Sequence, residues 1–159
     1  MKRFLTFATV VVLSLVGSSL LLAQSDPRIG TWKLNPAKST QSDSVVPRKS
    51  ETRTYESSGD SITMHSEVVM GDSSKRVYGV TAKADGKDYP YTGQQPAGAD
   101  SVSSKRVGNV FTSEDKKGGK VLNTTTTTFS EDSKVMTLTI KGVNTSGQPV
   151  NSVRIYDKQ

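Results

Sequence analysis

The chain has no cysteine and only one histidine and one tryptophan in 159 residues. Without cysteine no disulfide can staple the fold and no thiolate can act as nucleophile or metal ligand, so stability must come from packing and hydrogen bonding. The lone histidine, His65, can build neither a Ser-His-Asp arrangement nor a multi-histidine metal site. Aromatic residues make up 6% of the chain, and no segment sustains a helical period of apolar residues, which argues against a helical bundle. Hydrophobic residues reach 33%, but fifteen of them fall in residues 1–23, and the remainder is lean for a packed core. A lean all-β sequence can still fold if its sheet closes on itself, because one face is then buried and the other stays polar.

Residues 1–23 carry a basic start at Lys2 and Arg3, an apolar run from position 4 to 16, and a second run ending at Ala23. This pattern reads as a secretory signal peptide cleaved after Ala23, with the polar Gln24-Ser25-Asp26-Pro27 following at once. An exported protein, periplasmic or extracellular, is therefore expected, with residues 24–159 forming one domain and no stable membrane insertion after cleavage.

Net charge is +6, of which Lys2 and Arg3 supply two. The other bases include the scattered pairs Arg48-Lys49, Lys75-Arg76, Lys105-Arg106 and Lys116-Lys117. Paired strands with alternating sides do not gather such pairs on one face beside stacking aromatics, so the pattern reads as a solvated basic surface and not as a nucleic-acid footprint.

The first strand is expected over 29–34, around Gly30-Thr31-Trp32, and Asn35-Pro36 stops it with a turn former and a residue lacking an amide donor. A Ser-rich connection over 36–50 is longer than a hairpin needs and is expected to fold over one end of the domain. Hairpin signals then recur at Ser58-Gly59-Asp60, Gly71-Asp72, Asp85-Gly86, Gly108-Asn109 and Gly118-Gly119. They delimit strands near 51–57, 61–70, 75–83, 87–92, 101–107, 110–116, 120–130, 134–141 and 150–157. Pro90, between Tyr89 and Tyr91, marks an edge or a gap in a barrel wall.

Alternation assigns some faces. Ile62, Met64 and Val68 share one side, with Thr63, His65 and Glu67 opposite; Met136, Leu138 and Ile140 share another; Val153 and Ile155 oppose Ser152, Arg154 and Tyr156. The aliphatic sides are the expected core. The threonine run 124–128 shows no alternation and reads as a strand with two polar faces, its register pinned by Val121, Leu122 and Phe129.

Gly30-Thr31-Trp32 at the first strand of an exported β-meander resembles the lipocalin signature. That resemblance implies a Trp packed at the closed end of a barrel with an Arg of the last strand lying across it, here Trp32 and Arg154. The segments Gly30-Thr31-Trp32-Lys33-Leu34-Asn35-Pro36-Ala37-Lys38-Ser39, Asp85-Gly86-Lys87-Asp88-Tyr89-Pro90 and Gly147-Gln148-Pro149-Val150-Asn151, with the ending Tyr156-Asp157-Lys158, resemble small exported bacterial proteins of the lipocalin-like, calycin type. The resemblance implies fold and compartment and brings no catalytic residues with it.

Carboxylates such as Asp60, Asp72, Asp85, Glu131 and Asp132 sit in turns, where they usually bond their own backbone, and Gly118-Gly119 lacks the strand-to-helix setting of a phosphate loop. The sequence thus points to an all-β protein: a single antiparallel up-and-down β-barrel of eight to ten strands, lipocalin-like. It is read as a non-enzyme without metal or cofactor, binding a small apolar or amphipathic molecule non-covalently. The aromatic residues Tyr78, Tyr89, Tyr91 and Phe111 of the middle strands are the expected lining of the ligand pocket. The alternative is a structural or interaction protein of the cell envelope, with a barrel filled by its own side chains.

Overall fold

The computed structural model of the chain describes residues 26–42, 46–144 and 146–159. The signal peptide expected over 1–23 lies outside the described residues. Eleven strands follow in order: β1 (Gly30–Leu34), β2 (Arg48–Ser58), β3 (Ser61–Met70), β4 (Lys75–Ala82), β5 (Asp85–Pro90), β6 (Thr92–Gly93), β7 (Ser101–Val107), β8 (Val110–Lys117), β9 (Lys120–Phe129), β10 (Val135–Val143) and β11 (Pro149–Lys158). They form one antiparallel sheet in the spatial order β5-β7-β8-β9-β10-β11-β1-β2-β3-β4-β6. The first and last strands pair, with Trp32 opposite Lys158 and Leu34 opposite Tyr156, as an up-and-down barrel requires.

The two edges of this sheet are β5 and β6, which are consecutive pieces of chain separated only by Tyr91. β5 bonds to β7, with Pro90 opposite Ser101, whereas β6 bonds to β4, with Thr92 opposite Gly79 and Gly93 opposite Tyr78. One segment therefore ties both edges together and makes the sheet a nearly closed barrel. The change of partner falls just after Pro90, which has no N–H to give to a ladder. It splits one expected strand in two, which is why the described residues form eleven strands where eight to ten were expected.

Turn chemistry follows the sequence closely. Gly118 and Gly119, between β8 and β9, both hold positive φ (55° and 76°), as a primed two-residue hairpin requires. At Gly71-Asp72 the positive angle is carried instead by Ser73 (φ 67°), and the Asp72 carboxylate accepts the Ser74 N–H at 2.9 Å. Gly71 is small there for another reason: its N–H donates to the Pro47 carbonyl at 2.7 Å, a close approach of two backbones.

The interior divides into two apolar clusters. One gathers Trp32, Leu34, Met136, Leu138, Ile140, Val150 and Tyr156; the other gathers Met64, Val68, Met70 and Tyr78. The β3 and β10 faces are those the alternation predicts, and His65 is exposed beside Glu67. β11 is the correction. Its buried side is Ser152, Arg154 and Tyr156, while Val153 and Ile155 are only half-buried on the outer side. Residues 35–42 run beside β11, where Thr40 pairs with Val153 and Ser39 Oγ accepts the Ile155 N–H, and Val46 of the same connection packs against the cluster of Met64, Val68, Met70 and Tyr78. The lean core is thus completed by buried polar side chains.

Trp32 is fully buried, and its Nε1–H donates to the Arg28 carbonyl at 2.7 Å. The cation over its ring is Lys158, with Nζ 5.1 Å from the centroid, its direct cross-strand neighbour. Arg154 sits four residues earlier on β11, opposite Leu138, and turns into the barrel interior.

Candidate ligand-binding cavity

β2 supplies the centre of the buried polar network. A bulge between Arg48 and Ser50 shifts the register by one residue, so that Arg48 faces inward together with Glu51 and Arg53 despite the odd spacing. Arg48, expected as part of a solvated basic surface, is only 4% exposed. Glu51 Oε1 accepts from Arg53 Nε at 2.6 Å, Ser66 Oγ at 2.7 Å and the Tyr78 hydroxyl at 3.1 Å. Its Oε2 accepts from the Tyr156 hydroxyl at 2.8 Å and lies 3.2 Å from Arg48 Nε in an ion pair. Four strands thereby meet on one carboxylate.

Burial alone would push the Glu51 carboxyl upward. The charges of Arg53 and Arg48, with the hydrogen bonds from Arg53 and Ser66, more than offset it, and the pKa falls to about 2. Arg53 is held in turn: Nη2 donates to the Tyr78 hydroxyl at 2.9 Å, and the guanidinium lies 5.2 Å from the Tyr156 ring centroid. Burial, against the opposing charge of Arg53, pushes the Tyr78 phenol up to about 12. This phenol therefore serves as a neutral relay of hydrogen bonds between Arg53 and Glu51.

A second polar cluster lies across the barrel. Asp115 Oδ1 accepts from the Tyr91 hydroxyl at 2.7 Å, and Oδ2 faces Gln95 Nε2 at 3.4 Å. Burial raises the Asp115 carboxyl above the usual carboxylate range, against the Tyr91 hydrogen bond, the charges of Arg53 and Arg48, and a hydrogen bond from Asn123. The rings of Tyr78 and Tyr91 meet edge to face, 5.9 Å between centroids, and join the two clusters.

Between these clusters lies a cavity of about 110 Å³. Ile62, Met64, Val80 and Ala82 of β3 and β4 form an apolar side, and side chains of β7, β8 and β9 form a polar one. Arg28, Ile62, Ala82 and Lys83 also line a shallower hollow, which marks the mouth. Arg28 partly caps it: its guanidinium lies 4.0 Å from the Phe111 ring centroid and pairs with Asp26 at 2.8 Å.

Of the four aromatics expected around a ligand, Tyr78, Tyr91 and Phe111 line the cavity. Tyr89 does not; it is half-buried, and its hydroxyl donates to Asp85 Oδ2 at 3.0 Å. Arg154, expected only as a closing residue, is part of the lining. Glu51, Arg53, Asp115 and Asn123 were missed by sequence reasoning. The alternate placement of Glu51, Arg53 and Tyr55 was a usable signal, since it puts two opposite charges and a phenol on one strand face. Among the described residues, no three His, Cys, Asp or Glu side chains converge as a metal site would require.

The chain matches no protein-family model and no curated protein. Among solved structures it is similar to the zebrafish ileal bile acid-binding protein complexed with cholic acid. The two are 12% identical with a TM-score of 0.50, over 84% of this chain and 99% of that one. At such identity the likeness shows the fold alone, an antiparallel β-barrel.

Proposed function

We propose that the barrel binds a small apolar or amphipathic molecule non-covalently in its interior. The observation that carries this reading is the cavity itself, in which apolar and polar side chains line one space inside a nearly closed sheet. The neighbour of similar fold was solved with cholic acid, which supports an apolar or amphipathic ligand here. Drug-sized ligands occupy pockets of roughly 300 to 1,000 Å³, so a cavity of about 110 Å³ favours a compact one. Glu51 and Arg53 saturate each other and nearby phenols, an arrangement that holds the barrel together and leaves neither side chain poised for proton transfer. The same saturation favours the second reading, a barrel filled by its own side chains that serves as an interaction protein.

Titration of the purified domain with a panel of apolar probes decides between them. Binding near one to one is expected, with Tyr91→Ala weakening it by about tenfold, or about 1.4 kcal/mol. Tyr89→Ala is expected to leave it unchanged, because Tyr89 is not in the lining. No binding across the panel would leave the filled-barrel protein as the reading.

We propose further that the barrel works outside the cytoplasm, in the periplasm or beyond. This rests on the basic, apolar and small-residue succession over 1–23. Intact-mass measurement of protein recovered outside the cytoplasm should give a chain beginning at Gln24. A membrane-bound species keeping residues 1–23 would overturn it.

A further inference from the structure

We propose that the cavity selects compact neutral molecules with hydroxyl groups along one edge of a single apolar ring, the phenol and catechol class; this rests on the small-molecule reading above. The strand register builds the polar side. Asp115 stands opposite Asn123, Ser113 opposite both Ser104 and Thr125, and Phe111 opposite Thr127, so alternate residues of β7, β8 and β9 place six polar side chains on one continuous inner wall. All six line the cavity: Ser104, Ser113, Asp115, Asn123, Thr125 and Thr127. Ile62, Met64, Val80 and Ala82 of β3 and β4, which line the same cavity, offer no hydrogen-bonding side-chain group, and Val102 and Phe111 add apolar surface beside the polar residues. A ligand that fits both sets of side chains has one hydrogen-bonding edge and one apolar face.

The hydrogen-bonding capacity of the polar wall is only partly used. Ser113 Oγ donates to Ser104 Oγ at 3.1 Å, and Ser104 keeps a proton to give. Asn123 is 5% exposed, it is part of the lining, and its Oδ1 has no hydrogen-bond partner among the described residues. A buried acceptor without a donor is destabilising, and a ligand hydroxyl is a donor that could satisfy it.

Charge and size narrow the class. Arg28, Arg48, Arg53 and Arg154 line the same cavity and disfavour a cation. An anion would lie against the Asp115 carboxyl, while Glu51 already engages both Arg48 and Arg53 and Asp26 engages Arg28. An engineered apolar cavity of about 150 Å³ takes up benzene; a space of about 110 Å³ opening toward a hollow at the mouth accordingly suits one ring and excludes a fused ring system.

The test is calorimetric titration of the purified chain with benzene, phenol, catechol, benzoate and benzylamine. Phenol and catechol should bind at least about tenfold more tightly than benzene, because a site built for a hydroxyl discriminates against the analogue lacking it. Ser113→Ala combined with Thr125→Val should reduce that advantage to less than about threefold. The ligand order on the unaltered chain decides the matter even if that variant folds poorly. Benzene equal to phenol, or either charged ring tighter than phenol, overturns the selectivity and leaves ligand binding standing. Failure of every ring and of the wider apolar panel overturns the ligand-binding reading itself.

Discussion

Replacing Glu51 by Gln is expected to destabilise the barrel by about 3 to 5 kcal/mol, the usual effect of removing one partner from a buried ion pair. The carboxylate is 1% exposed and receives side chains from β2, β3, β4 and β11, so its loss leaves Arg53 and Arg48 facing an uncharged amide in the interior. Glu56→Gln, at an exposed position of the same strand, is the control and should move the denaturation midpoint little. The same pair gives an acid limit with a definite sign. The folded pKa of about 2 lies below the ordinary value of 4.5, so Glu51 stabilises fully above pH 4.5 and loses that contribution as pH falls toward 2. The contribution is about 3 kcal/mol at one pKa unit per 1.36 kcal/mol. Asp115 acts in the opposite direction: its raised pKa favours the folded state at low pH and loses that contribution as pH rises through the folded pKa, so it works against the acid slope that Glu51 gives. Urea midpoints measured between pH 2 and 5 test both effects. The slope should become shallower in Glu51→Gln, with the lowered carboxyls of the turn and loop aspartates keeping the remainder, and an unchanged midpoint at pH 7 would remove the network from any account of stability.

The parts of this architecture that the sequence made legible are those set by local chemistry. Met136, Leu138 and Ile140 alternate with polar residues and form the inner face of β10, and Pro90 marks the place where the wall changes partner. The parts that were not legible depend on closure. Val153 and Ile155 look like core, yet β11 turns Ser152, Arg154 and Tyr156 inward, because the barrel centre is built around a carboxylate that accepts the Tyr156 hydroxyl. Arg48 and Glu51 are three apart, a spacing that puts them on opposite faces of a regular strand, and only the bulge at Lys49 brings them to one. Asp115 lies in the run Glu114-Asp115-Lys116-Lys117, which reads as a solvated charged edge until the pairing with Asn123 shows it facing inward. Charge in a sequence marks a surface only if the sheet stays open on that side. In this barrel the polar residues of β2, β8 and β9 furnish the interior, which is also why the aromatic pattern found three cavity residues and missed the polar half of the site.

Gly93→Ala is expected to open the barrel wall. The whole of β6 is Thr92 and Gly93, and its pairing with Gly79 and Tyr78 is the tie between β4 and the segment that continues from β5. Gly93 holds φ at 75°, and a Cβ built on it would sit 2.2 Å from the Val77 carbonyl oxygen and 3.1 Å from the Tyr78 Cα. Both obstacles are backbone, so no side-chain rotation relieves them. The methyl group would push β6 off β4, breaking the Gln94 N–H to Val77 carbonyl bond of 2.8 Å and loosening Tyr91 from the Tyr78 ring and from Asp115. Overpacking and left-handed strain together put the loss at about 2 to 5 kcal/mol. Gly119→Ala separates the two contributions, because Gly119 has nearly the same φ, 76°, and nothing within 4 Å of a built Cβ. It should show the strain alone, about 1 kcal/mol. Thermal denaturation of both variants, with amide exchange at Tyr91 and Gln94, measures the difference. Faster exchange at these two amides in Gly93→Ala, and not in Gly119→Ala, is the expected signature of an opened wall. Equal losses in the two variants would mean that the close approach at β6 does not hold the barrel shut.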